Sequence, residues 1–322
     1  MNAYLSKVIY LTRLPLIIGP IFIHAVMNEE SMLQMLFHHL GMSSVPILYV
    51  ISGYLFFGGY SSNRDSLIYK YKSRIKSLLI PYVLWNFIAY LTFSIDGTLS
   101  WSQFFTSFWG NAGSNAPADY PLWFIRTLIL IMPLIPIIFL FNNKKYICHL
   151  SLILAVCWFF QYPVLFSHGT LQGLVLFNLG SYLRLQRIFK KEFIPSKKVA
   201  LLSMTIWVSM NYLRLMVTDV QFLILLENSS TVFGALFYYG IAQLLPKKQC
   251  DLLINNGKAS FLTYCQFALS LHFLKMFFVN IGFTNFLGFL VLSFFVLFIG
   301  IGVYYLLDRF LPKFCIVLSG SR

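Results

Sequence analysis

Residues 13–24 read Arg13-Leu-Pro-Leu-Ile-Ile-Gly-Pro-Ile-Phe-Ile-His24, an apolar stretch with a cation at its start and an imidazole at its end. An eleven-residue step along an α-helix is about three turns plus roughly 20°, so both side chains share one face, roughly 16 Å apart along the axis. Ionisable groups at membrane depth usually face a bundle interior or a water-filled cavity. The pair is therefore a candidate functional site. The alternative is that Arg13 extends to the membrane interface while His24 is a hydrogen-bonded packing residue.

The composition indicates an all-α, polytopic membrane protein. Of 322 residues, 58% are hydrophobic and 11% are charged, and the mean hydropathy is +0.75. A net charge of +14 would suggest nucleic-acid binding in a soluble chain. Here the basic residues cluster between apolar segments, so we expect membrane lipids and no nucleic acid as partners.

Apolar runs of spanning length predict about ten transmembrane helices. They lie near residues 8–28, 44–60, 78–95, 122–142, 147–164, 169–186, 199–217, 230–246, 259–280 and 285–307. With the N-terminus inside, only Arg126, Arg214 and Lys275 of the 24 basic residues fall outside the predicted cytoplasmic segments. This distribution obeys the positive-inside rule and places both termini in the cytoplasm.

The sequence predicts one membrane-bound domain over residues 1–322, since no connection between spans is long enough to fold alone. The connection near residues 96–121 is predicted to face outward, and its aromatic part is Trp101–Trp109. These rings either anchor in the membrane interface or stack on a sugar. No small-residue cleavage site follows the first apolar segment, so we expect that segment to stay attached.

The cysteines predict neither a disulfide framework nor a zinc site, because they lack metal-ligand spacing. They are Cys148, Cys157, Cys250, Cys265 and Cys315. The chain also shows no glycine-rich nucleotide loop, metal motif or nucleophile elbow. Any chemistry must therefore be built from side chains of the helix bundle.

Three further motifs follow in order along the chain. They are Ser52-Gly53-Tyr54 near the end of the second apolar segment, the basic loop Tyr69–Tyr82 with Arg74, and Pro121-Leu122-Trp123-Phe124-Ile125-Arg126. Together with Arg13 and His24, this ordered set resembles the membrane-bound acyltransferase 3 family, which acylates surface sugars and related acceptors in bacteria.

Later segments extend the resemblance over nearly the whole chain. Phe177–Leu183 is similar to the family's mid-chain Gly-Tyr helix, Gly257–Tyr264 to the start of its penultimate helix, and Pro312–Arg322 to the ends of its polysaccharide acetyltransferases. Gln266 is a departure, since many relatives carry a histidine there, and His272 lies further along the same helix. The resemblance includes no fused extracytoplasmic hydrolase-like domain of the kind that some relatives carry, so we expect transfer to be completed by the bundle or by a separate partner.

The resemblance implies an O-acyltransferase in the bacterial inner membrane that uses acetyl-CoA or another acyl-CoA and has no tightly bound cofactor or metal. It makes His24 the general base, a task that suits an imidazole with a reference pKa of about 6.5. Arg13 and Arg74 would bind the donor phosphates, and Trp123 and Arg126 the acceptor or the acyl carbonyl. For Arg126, contact with lipid headgroups is an equal alternative.

Two other functions compete with this interpretation. A transporter or flippase for lipid-linked sugars would use the basic inner face to gather an anionic substrate. A membrane-embedded assembly partner would perform no chemistry, and Gln266 in place of a histidine gives that alternative slight support.

Overall fold

A computed structural model describes residues 3–58, 64–95, 119–143, 148–160, 170–189 and 193–320. Over these ranges the chain forms helices and no strand, which confirms the all-α prediction. The aromatic segment Trp101–Trp109 lies outside the described residues, as do Lys144 and Lys145 of one predicted cytoplasmic connection.

The described residues form fifteen α-helices. They are α1 (Ala3–Ala25), α2 (Met32–Met42), α3 (Ser44–Phe56), α4 (Arg64–Arg74), α5 (Ile80–Ile95), α6 (Trp123–Ile131), α7 (Ile135–Asn143), α8 (Cys148–Phe160), α9 (Thr170–Leu185), α10 (Lys197–Leu213), α11 (Val220–Gly240), α12 (Lys247–Asn256), α13 (Ser260–Asn280), α14 (Phe286–Phe310) and α15 (Pro312–Leu318). A π-helical turn, Ile75–Leu79, joins α4 to α5.

Seven segments within the described ranges are long and apolar enough to cross a membrane. They are Ala3–Ala25, Met32–Phe56, Arg64–Ser94, Tyr120–Leu140, Val220–Gln243, Lys247–Asn280 and Phe286–Phe310. The other three predicted spans coincide with α8, α9 and α10, which have 13, 16 and 17 residues. The protein is a multi-pass membrane protein, while the count of ten and the cytoplasmic termini stay predictions.

The described residues divide into two compact units. The first unit draws on Met1–Tyr60 and Leu134–Gly257, and the second on Ser61–Pro133 and Lys258–Arg322. The first therefore contains α1–α3 and α7–α12, and the second contains α4–α6 and α13–α15. Each unit is assembled from stretches that are far apart in sequence.

In the first unit, two glycines of the sequence motifs let α3 and α9 pack closely. A Cβ atom on Gly53 would overlap the carbonyl group of Phe177, and one on Gly180 would overlap the carbonyl oxygen of Val50. Small residues permit this kind of backbone approach between membrane helices. The Ser52-Gly53-Tyr54 motif and the mid-chain Gly-Tyr helix thus form one packing contact.

A buried amide and hydroxyl network joins α7, α8 and α9 in the first unit. The Asn142 side chain donates to Asn178 Oδ1 at 2.7 Å, and Asn178 Nδ2 donates to Ser151 Oγ at 2.9 Å. Ser181 also belongs to the network, as an acceptor from Asn142. Buried polar side chains in membrane helices are stable when they bond one another in this way, so the network fixes the three helices.

In the second unit, the end of the chain packs onto the π-helical turn. Trp85 Nε1 donates to the carbonyl oxygen of Leu318 at 3.2 Å. Gly320 has φ of +71°, and a Cβ atom there would lie 2.5 Å from the carbonyl oxygen of Ser77. π-helical turns are rare and often occur at functional sites. This one follows Arg74 directly.

Candidate functional site

Arg13 and His24 lie in one helix, α1, which has 23 residues. Arg13 is half-buried, and its guanidinium carbon lies 4.3 Å from the ring centroid of Tyr10. Stacking of this kind uses the face of the guanidinium, whose N–H groups lie in its plane. The ion pairs among the described residues are Arg214–Glu227 and Lys258–Asp308. No described carboxylate therefore neutralises Arg13.

His24 is half-buried in the last turn of α1. The chain leaves the helix at Ala25 and then bonds to α2, because Gln34 Oε1 accepts hydrogen bonds from Met27 N at 2.9 Å and Asn28 N at 3.1 Å. Gln34 is fully buried. The position of His24 is thus defined by the junction of two helices.

Arg214 is a charged residue of the first unit whose role the sequence did not reveal. It donates to Glu227 Oε2 at 2.8 Å and to Asn211 Oδ1 at 3.2 Å, and 7% of it is exposed. The pair joins the end of α10 to α11. Separation of Arg214 from Glu227 would leave an uncompensated charge in a buried position. The pair therefore holds α10 and α11 together.

In the second unit, Arg74 is the last residue of α4 and is half-buried. One turn earlier, Tyr71 donates its hydroxyl to the carbonyl oxygen of Met132 at 2.9 Å, which anchors the helix. Lys72 and Lys76 are exposed, as ordinary positive-inside residues would be. Burial therefore separates Arg74 from Lys72 and Lys76, while Lys70 is half-buried like the arginine.

Trp123 and Arg126 begin α6, and two buried side chains hold the segment before it. Tyr264 donates its hydroxyl to the carbonyl oxygen of Pro121, and Asn86 Oδ1 accepts from Asp119 N at 3.3 Å. Trp123 is half-buried, and Arg126 is only 3% exposed. Such deep burial argues against lipid headgroups as the partner of Arg126.

Asp119 is a buried acid that the sequence placed in an exposed outer connection. The residue has no exposed surface, and neither carboxylate oxygen has a hydrogen-bond partner within the described ranges. Burial raises the pKa of this carboxyl well above its ordinary value. Asp119 and Arg126 both interact electrostatically with Tyr82.

Gln266 is buried between α13 and α14. Its Oε1 accepts from Ser270 Oγ at 2.6 Å, and its Nε2 would lie 2.8 Å from a Cβ atom on Gly300. His272, on the same helix, makes an edge-to-face contact with Phe93 at 5.0 Å between ring centroids. Gln266 therefore occupies a buried position at which many relatives carry a histidine. His272 packs against Phe93 instead.

Four of the five cysteines belong to the part of the chain whose side chains the structure describes. Cys157, Cys250, Cys265 and Cys315 are free thiols. No three histidine, cysteine, aspartate or glutamate side chains come together as a potential metal site in the parts of the chain that the structure describes. The candidate residues carry imidazole, guanidinium and indole groups.

A family model described as an acyltransferase domain, that of the acyltransferase 3 family, matches residues 11–305. The chain belongs to the acyltransferase 3 family. No curated protein and no solved structure matches the chain. The acyltransferase 3 match covers most of both compact units and all five candidate residues. It shows that the protein is an acyltransferase of the general kind that this family represents.

The candidate residues of this acyltransferase 3 protein divide between the two units. Arg13 and His24 belong to the first unit, and Arg74, Trp123 and Arg126 belong to the second. Asp119 and Arg214 are buried ionisable residues that the sequence did not indicate as candidates.

Proposed function

We propose that this acyltransferase moves an acetyl group from cytoplasmic acetyl-CoA to a hydroxyl group of a surface polysaccharide or lipid-linked sugar, in the bacterial inner membrane. The observation that carries the proposal is α1 itself, in which a half-buried imidazole and a half-buried guanidinium lie on one apolar helix of an acyltransferase domain. Membrane helices hold such groups where they serve a function.

The reaction needs a base and a route for one proton. The neutral imidazole of His24 accepts the proton of the acceptor hydroxyl as its oxygen forms a bond to the carbonyl carbon of the thioester. The carbon–sulfur bond then breaks, and the imidazolium returns the proton to the departing thiolate. The products are the O-acetyl ester and coenzyme A.

The donor is an anion whose phosphates need cationic partners. Guanidinium groups bind phosphate oxygens through paired, charge-assisted hydrogen bonds. We assign this task to Arg13, in the middle of α1, and to Arg74, the last residue of α4, which are both half-buried. Lys70, Lys72 and Lys76 contribute a positive field around Arg74.

The acceptor is assigned to the start of α6. An indole ring offers an apolar face to a sugar, and a buried guanidinium donates hydrogen bonds to a carbonyl or hydroxyl oxygen. Trp123 and Arg126 supply these two groups within one helical turn. Their segment is fixed by Asn86 and Tyr264, which favours a defined orientation.

Substitution of His24 tests the proposal most directly. We expect purified full-length His24→Ala to transfer radiolabelled acetyl from acetyl-CoA at least about 100-fold more slowly than the wild type, because general base catalysis is lost. His39→Ala is the matched control, since it removes another partly buried histidine of the same unit. Transfer by His24→Ala at a rate near that of the wild type would refute the assignment.

Glycan composition separates this function from a sugar transporter. Mass spectrometry of surface glycans from cells with and without the gene should show loss of an acetyl mass increment while the polymer persists. Loss of a succinyl mass increment would mean that the protein is an acyltransferase that transfers succinyl instead of acetyl. Loss of the whole polymer would favour transport or assembly.

A further inference from the structure

Helix α2 presents two polar side chains to the end of α1. Gln34 and His38 are separated by four residues, so they lie on the same face of α2. Gln34 is fully buried and His38 is half-buried. Both bond to backbone groups that flank His24, which is the proposed general base.

The end of a helix leaves backbone groups without partners inside that helix. In a longer α1, Met27 N would bond to the carbonyl oxygen of Ile23. Instead Met27 N donates to Gln34 Oε1 at 2.9 Å, and the carbonyl oxygen of Ile23 lies 3.1 Å from His38 Nδ1. Helix α2 therefore completes the hydrogen bonding of the turn that contains His24.

The hydrogen bond to Ile23 defines the tautomer of His38. A carbonyl oxygen only accepts, so Nδ1 carries the hydrogen and donates it. The His38 ring also contacts the ring of His39 edge to face, with 5.5 Å between centroids. The charged groups that act on His38 are Arg214, Glu227 and Glu29, from α10, α11 and the connection after α1.

Close packing of the two helices leaves this geometry little freedom. A Cβ atom on Gly19 would lie 2.9 Å from the carbonyl oxygen of Gly41, and one on Gly41 would overlap the backbone of Gly19. Backbones that approach so closely resist sliding and rotation. The contact between Gly19 and Gly41, about one turn before Ile23, thus sets the distance between α1 and α2.

We propose that His38 is a positioning residue for His24. By holding the carbonyl group of Ile23, His38 fixes the last turn of α1 and the direction in which the next residue presents its imidazole. The role rests on the proposed function of His24, and His38 itself touches neither donor nor acceptor. A misplacement of a reacting group by about 1 Å lowers the reaction rate about 100-fold.

Three variants of the full-length protein separate the possibilities. His38→Ala removes the donor to Ile23. His38→Asn keeps an N–H donor at nearly the place of Nδ1, since the side-chain amide of asparagine branches at the same distance from the backbone. His39→Ala is the control for loss of a neighbouring ring, because His39 contacts the His38 ring edge to face while its own Nδ1 has no hydrogen-bond partner among the described residues.

Steady-state kinetics should show that His38→Ala lowers the turnover number and that the side-chain amide of His38→Asn restores it. We expect kcat of His38→Ala to fall about 10- to 100-fold, while KM for acetyl-CoA changes by less than about threefold. His38→Asn should recover most of the lost kcat, and His39→Ala should stay near the wild type. Wild-type kcat in His38→Ala, or no recovery in His38→Asn, would overturn the proposal.

A second measurement does not depend on catalysis. Diethyl pyrocarbonate modifies neutral imidazoles, and peptide mass spectrometry gives the rate for His24 alone. We expect His38→Ala to change that rate in folded protein and His38→Asn to restore it. A purely structural role predicts less folded protein with an unchanged His24 rate, and that result would contradict positioning. Failure of the proposed catalysis would appear separately, as an active His24→Ala variant.

Discussion

Asp119 shows how burial of a single residue changes its acid–base behaviour. Its carboxyl group has no exposed surface, so the charged form lacks solvation and the pKa is raised. Between the unfolded pKa of about 3.9 and the raised folded pKa, the folded protein holds a proton that the unfolded chain releases. The contribution of Asp119 to stability is therefore greatest at low pH and declines as pH rises through that interval.

We expect Asp119→Asn to stabilise the protein as the pH rises, because the amide resembles the protonated carboxyl and does not ionise. The unfolding temperature in detergent should exceed that of the wild type by a few degrees near about pH 8, and the difference should shrink towards about pH 5. Asp251→Asn, which changes an exposed carboxyl, serves as the control. Equal pH profiles for Asp119→Asn and the wild type would contradict a raised pKa.

At the residue scale, the sequence revealed ionisable side chains that are unusual in an apolar helix. Arg13 and His24 were predicted as candidates because ionisable side chains are costly in an apolar helix. Asp119 was missed because an acid at the edge of a span resembles an ordinary connection residue. Its burial depends on tertiary packing, including the bond to Asn86 of α5, and no local pattern encodes that partner.

At the scale of elements, helix α2 shows what an apolar pattern cannot predict. The second span was expected to begin near residue 44, whereas its helical segment begins at Met32. Gln34, His38 and His39 interrupt the apolar run in the sequence. In the fold, Gln34 and His38 bond to the backbone after and within α1, so their polarity is satisfied and the helix extends further.

A second contact between elements joins the π-helical turn after Arg74 to the segment around Gly320. Gly320 packs against the carbonyl oxygen of Ser77 in a left-handed conformation, which other residues adopt only with strain. A side chain there would push on the turn that immediately follows Arg74. A substitution at Gly320 should therefore affect the position of Arg74, the proposed donor-binding arginine.

We expect Arg13→Ala and Arg74→Ala each to weaken acetyl-CoA binding about 10-fold or more, through loss of charge-assisted hydrogen bonds. Gly320→Ala should weaken binding in the same direction by displacing the π-helical turn. Gly302→Ala is the matched control, since a Cβ atom there meets nothing within 4 Å. Titration calorimetry of the purified variants gives the dissociation constants. Unchanged affinity in both arginine variants would remove them from the donor site.

At the scale of the whole molecule, the number of crossings is decided by α8, α9 and α10. At about 1.5 Å per residue, 13 to 17 residues cover roughly 20–26 Å, less than the about 30 Å of a hydrocarbon core. If only the seven longer segments crossed, Lys247, Lys248, Arg309 and Lys313 would face outward. Ten crossings keep those cations inside, in agreement with the positive-inside rule.

Labelling of single cysteines distinguishes the two topologies. Glu30 and Lys248 are exposed, and seven predicted spans separate them if α8, α9 and α10 all cross, whereas four separate them if none does. In a background without the native cysteines, a membrane-impermeant thiol reagent should label Glu30→Cys in intact cells. Lys248→Cys should react only after permeabilisation, because an odd number of crossings puts the two positions on opposite sides. Labelling of both in intact cells would mean an even number of crossings and would place the C-terminal basic residues outside.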